Sequence, residues 1–227
     1  SITGELRTVK GGAWLPGVWG WVGDLVGSVI SALIGVLAAR RNSASLPEIY
    51  RETLSSDAGV RLSAFKALQG LVSSNDLGAL ANLLAAARTS EETAAVQSAL
   101  IAAANTLPEK ERTPAVLRQM SASGAGAASL YYPVLAGIGD NPSLNAVVAD
   151  FNSGNATRKQ DAFKALTGWT GPAAIHPLLK IAAVPENADF KGAAVRAVIV
   201  QVKRSGYPDD QRLLLLREAM KLAPGTP

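Results

Sequence analysis

The chain has 227 residues, 48% of them hydrophobic, enough to bury a sizeable core in one or two domains. Cysteine is absent, which excludes disulfides, thiolate metal sites and thiol catalysis, and the 5% aromatic content leaves Ala, Leu and Val to build the core. The net charge of +4 comes from basic residues scattered among acidic ones, the mark of a mildly basic solvated surface and not of a massed nucleic-acid footprint.

Residues 1–23 are expected to be irregular, because Gly11, Gly12, Pro16, Gly17, Gly20 and Gly23 break helical periodicity. Trp14, Trp19 and Trp21 crowd into this piece, placed to cover the end of the array that follows or to face a further domain. No signal peptide is recognisable in the first ten residues, and an excised fragment would read the same way. Residues 13–39 carry one charge, Asp24, and lie between Lys10 and Arg40-Arg41, so they are long and apolar enough for a membrane span. Ser31-Ala32-Leu33-Ile34 also falls on the columns of the later helices, which explains its apolar content by packing and leaves a membrane-tethered scaffold as the lesser reading.

From residue 42 onward the spacing predicts helical hairpins. A helix beginning near Ser45 carries Leu46, Ile49, Tyr50 and Leu54, with Pro47 in its first turn. Asp57 caps the next, whose Val60, Ala64, Leu68, Leu71 and Val72 form one stripe. Leu80, Leu83 and Leu84 mark a third, and Val96, Leu100 and Ala103 a fourth, with Ser90 and Thr93 as cap-like residues. Residues 107–113 read as a polar joint before a helix with Pro114 in its first turn. Pro133 inside the next apolar pattern predicts a kink or a late start. Asp140-Asn141-Pro142 opens a helix with Leu144, Val147, Val148 and Phe151, and Asn155 or Thr157 caps the following one. Residues 172–183 and 188–204 make the last full hairpin. A final helix over 208–222 carries Leu213, Leu214, Leu216 and Met220 and has no partner, so the array is expected to continue beyond this chain.

The hairpins share a register. Ala64-Phe65-Lys66-Ala67-Leu68 returns almost unchanged as Ala162-Phe163-Lys164-Ala165-Leu166, and Leu33, Leu68, Leu100, Leu135, Leu166 and Val198 follow at intervals of roughly 31 to 35 residues. The residue before each of these anchors is Ala or Val, and the residue two after is Gly, Ala or Val. That pattern predicts an all-α chain, an α-solenoid over residues 24–227 built as a right-handed stack of about five to six helical hairpins.

The columns resemble HEAT repeats. Leu46-Pro47-Glu48-Ile49-Tyr50, residues 130–140, the second AFKAL stretch and residues 213–220 look closer still to the HEAT-like segment of bacterial multidomain proteins, of the Bacteroidota type, that carry a 3-keto-disaccharide hydrolase-like domain. The resemblance implies an extracytoplasmic, carbohydrate-related setting, periplasmic or at the cell surface. In that family the hydrolase part is a separate β domain, and the sequence here contains no strand-rich segment to match it, so no catalytic residue carries over.

Enzyme signatures are missing. His176 is the only histidine and precedes Pro177 at a helix start, where a packed or capping role is expected. Asp57, Asp76, Glu91, Glu92, Asp140, Asp209 and Asp210 sit where helix N-termini favour them. No cofactor, metal site or catalytic residue is expected. Surface recognition is left. Lys66 and Lys164 project away from the anchors two residues on, and Lys159, Arg196 and Lys203 extend the same mildly basic lining. Such a face suits an acidic protein segment or an anionic polymer. The expected function is a non-catalytic interaction or spacer scaffold that holds a protein partner or a neighbouring domain, with a nucleic-acid-binding module as the alternative.

Overall fold

The computed structural model describes residues 27–34 and 45–223. Trp14, Trp19, Trp21, the irregular stretch 1–23 and most of the candidate span 13–39 lie outside them. Among the described residues the chain is all-α, with twelve helices and no strand. Helix α1 covers residues 27–34. It is followed by α2 (Leu46–Glu52), α3 (Ala58–Leu68), α4 (Leu77–Ala86), α5 (Ser90–Asn105), α6 (Glu109–Ala122) and α7 (Ala128–Ile138). Then come α8 (Asn141–Phe151), α9 (Ala156–Thr167), α10 (Ile175–Ala183), α11 (Ala188–Arg204) and α12 (Asp209–Leu222). Among the described residues no helix is long and apolar enough to cross a membrane.

Local chemistry sets the helix ends. Asp57 accepts from Val60 N–H at 2.9 Å, Asp140 from Ser143 N–H at 2.8 Å and Asn155 from Arg158 N–H at 3.0 Å, each offsetting a free donor of the first turn. The cap of α5 is Thr89, which accepts from Glu92 N–H; Ser90 is already helical. Helix α6 begins at Glu109, five residues before Pro114, so the expected polar joint is its first turn and Pro114 sits inside it. Pro133 is also internal, because α7 starts at Ala128. Gly139 closes α7 at φ +73°, a left-handed backbone that glycine adopts without a Cβ penalty.

The helix pairs in extensive contact are one or two steps apart in chain order. Neighbours pair as α2–α3, α4–α5, α6–α7, α8–α9 and α10–α11, and α12 packs on α10 and α11. The second helix of each pair also lies against the next second helix, in the run α3, α5, α7, α9, α11. Between these second helices the core is closed by Leu68, Leu100, Leu135, Leu166 and Val198, all at 0% exposure. Phe190 meets Phe151 and Phe163 edge to face, and the three rings, with centroids 4.8 to 6.1 Å apart, join α8, α9 and α11.

The apolar register departs from expectation at both ends. Leu33 is 58% exposed and the neighbouring Ile34 is buried in its place. In α12 Leu215 and Ala219 are buried and Leu216, as expected, packs half-buried against the core, whereas Leu213, Leu214 and Met220 are exposed. Leu54 points to solvent just past the end of α2.

Candidate functional site

The outward side of the second-helix run is built by the same periodicity that buries the anchors. A residue two positions before an anchor lies about 160° round the helix from it, so it must face away from the core. Lys66 on α3, Pro133 on α7, Lys164 on α9 and Arg196 on α11 occupy that column and are exposed, and Ser98 on α5 is half-buried. Two residues after the anchors come Gly70, Ala102, Gly137, Gly168 and Val200. At Gly137 the missing side chain lets α7 pack closely on α5, because a Cβ there would collide with the Ile101 side chain.

A groove of about 490 Å³ lies between α7 and α9, with Ser129, Tyr132, Gly137, Asp161, Lys164 and Gly168 among its walls. Tyr132 donates its hydroxyl to Asp150 at 2.9 Å, and Asp150 pairs with Arg158. Burial, opposed by the hydrogen bond from Arg158 and reinforced by the Asp150 carboxylate, pushes the Tyr132 phenol up to about 12, so this wall stays neutral and fixed. The bond to Asp150 pushes the Arg158 guanidinium further up, which keeps it cationic.

A second cavity of about 340 Å³ adjoins the groove, sharing Gly168 and Thr170 with it, and continues past the C-terminal end of α9 to Trp169, Gln201 and Arg204. Gln201 is 7% exposed and donates Nε2–H to Leu166 O at 3.1 Å, tying α11 to α9. Trp169, three residues after the Leu166 anchor, is buried at 3% exposure.

The five cations expected on one surface separate. Lys66, Lys164, Arg196 and Lys203 are exposed and lie on the outward side. Lys159 is half-buried and lies seven residues before Leu166, about 20° from the anchor direction, which turns it toward the core. It donates to Asn187 Oδ1 at 2.8 Å, with its ammonium 4.8 Å from the centre of the Phe151 ring and 5.4 Å from that of Phe190. Arg204 and Gln201 were not singled out by the sequence pattern, although Gln201 is the one polar residue in a column otherwise apolar, three after the anchors.

His176 is exposed as the second residue of α10 and is neither packed nor a cap. Among the described residues no three side chains of the His, Cys, Asp and Glu type come together to hold a metal ion. The carboxylates singled out at helix starts hold those starts, as caps or in first turns. Chemically the site can offer hydrogen bonds, cationic rims and a shallow walled channel. No family profile, curated protein or solved structure matches the chain.

Proposed function

We propose that the chain is an α-solenoid of HEAT-like hairpins acting as a non-catalytic interaction scaffold, and that the outward side of its second helices is the binding face. The observation that carries this reading is the alternation along α3, α5, α7, α9 and α11. Each anchor is sealed at 0% exposure, while the residue two before it faces outward, with Lys66, Lys164 and Arg196 supplying charge. The groove between α7 and α9 opens on this same side. A stack of hairpins presents such a face as a continuous strip, which suits an extended partner better than a compact ligand. The partner is an acidic protein segment, or a neighbouring domain in the setting that the family resemblance implies.

The test is selection of a displayed random-peptide library on the whole chain, followed by binding of the selected peptides to Lys66→Glu/Lys164→Glu. Acidic sequences are expected, weakened about fivefold to tenfold by the double reversal and by added salt. Peptides indifferent to both changes would contradict the assignment of the face. Salt-dependent binding of random duplex DNA, lost in the same variant, would favour the nucleic-acid alternative.

A further inference from the structure

Two buried side chains on the walls of the smaller cavity each keep a hydrogen-bonding atom without a partner: Trp169 Nε1 and Gln201 Oε1. Buried polar atoms are nearly always paired, and leaving one unpaired costs the desolvation of that group. Their chemistry is fixed. An indole nitrogen only donates, and Gln201 has its Nε2 committed to Leu166 O, so the atom left over is its acceptor oxygen. The residues that line the cavity therefore hold one spare donor and one spare acceptor, the complement of an amide group, which accepts through its carbonyl oxygen and donates through its N–H.

Resting on the scaffold reading above, we infer that the joined grooves hold the main chain of an extended peptide, one of whose backbone amides bonds to Trp169 and Gln201. Three features favour main chain over side chain. Gly168 and Gly171 leave the wall without Cβ atoms, so a backbone can come close. The cavity shares Gly168 and Thr170 with the larger groove, which gives an extended chain room to continue. Lys164 in one half and Arg204 in the other, against the single carboxylate Asp161, place cations where acidic side chains flanking the amide would lie. Both spare atoms are screened from solvent in this structure, so seating the amide takes a rotation of the indole ring and of the Gln201 carboxamide.

The indole N–H resonance of Trp169, identified by its loss in Trp169→Phe, reports on the site directly. The whole chain is titrated with N-acetylglycine N-methylamide, a bare backbone amide, and in parallel with propionamide, a side-chain carboxamide. A saturating shift with the first is expected, with a dissociation constant of the order of 10 mM. Its affinity should exceed that of propionamide by about fivefold and fall by about fivefold in Gln201→Met. If Gln201→Met does not fold, the peptides selected above are compared on wild type and Trp169→Phe, with the same loss expected. No shift with either amide would overturn the inference, as would equal affinity for propionamide or an unchanged response in Gln201→Met. A resonance that stays bonded to a trapped water throughout would do the same. Peptides that depend on Lys66 and Lys164 but leave the Trp169 resonance unmoved would overturn it while the binding face stands. A Trp169 response in a chain indifferent to Lys66→Glu/Lys164→Glu would sink the face assignment alone.

Discussion

Arg61 and Glu92 form an ion pair almost withdrawn from water, with side chains 8% and 3% exposed and Nε to Oε1 at 3.0 Å. Further hydrogen bonds hold each partner in place. Arg61 also donates to the Ser55 and Ser56 carbonyls, and Glu92 accepts from Arg88 N–H, so the pair clamps the start of α3 to the start of α5. Burial alone would raise the Glu92 carboxyl, but the Arg88 N–H and the Arg61 guanidinium more than reverse it and hold it below the usual range. A carboxylate depressed in the folded chain adds stability above its unfolded value and loses it as pH falls through the folded one. Glu92→Gln should therefore cost about 3 kcal/mol in urea unfolding at neutral pH, because Arg61 is left buried and unpaired. The difference from wild type should shrink at about pH 4 and below. An equal deficit at both pH values would show that packing, not charge, explains the loss. Arg61→Met/Glu92→Leu should cost less than Glu92→Gln alone, since no charge is then stranded.

At the scale of the helix, the anchors are the positions that hold one hairpin to the next. Leu68, Leu100, Leu135 and Leu166 are at 0% exposure, so truncation to Ala should cost about 2–5 kcal/mol each, the lost burial plus the cavity left behind. Leu33→Ala and Leu213→Ala should stay within about 0.5 kcal/mol, because both side chains already meet solvent. Thermal unfolding of the six variants decides it, and a large loss at Leu33 would restore the register expected from the repeat. These ends also show where sequence reading runs out. Leu33-Ile34 and Leu213-Leu214-Leu215-Leu216 offer adjacent residues of equal hydrophobicity, and a period of 3.6 cannot choose between them without knowing the neighbouring helix. The start of α6 was hidden differently. Glu109, Lys110, Glu111 and Arg112 look like a loop by polarity but are a first turn, where acidic residues favour the helix dipole and Pro108 supplies the cap position.

For the whole molecule, the all-α class and the order of the helices were legible, since apolar spacing marks the buried face of each helix and the five residues Leu68, Leu100, Leu135, Leu166 and Val198 are fully buried. The outward position of Lys66, Lys164, Arg196 and Lys203 was legible too, because helix geometry fixes it once the anchors are known. The groove and the cavity beside it were not. The first depends on how closely α7 approaches α9 and the second holds the unpaired atoms of Trp169 and Gln201, properties of packing that no single helix records. Lys159 was misplaced by charge alone, and counting its angle from Leu166 would have turned it inward.

The most direct test of the binding face is the reactivity of individual lysines toward a small acylating reagent, with and without a selected acidic peptide at saturation. Lys66, Lys164 and Lys203 share the outward side of the second helices, whereas Lys110 on α6, Lys180 on α10 and Lys221 on α12 are exposed on first helices. Protection of the first three, with the second three as reactive as before, is the predicted result. Protection confined to Lys110, Lys180 and Lys221 would put recognition on the opposite layer and contradict the assignment.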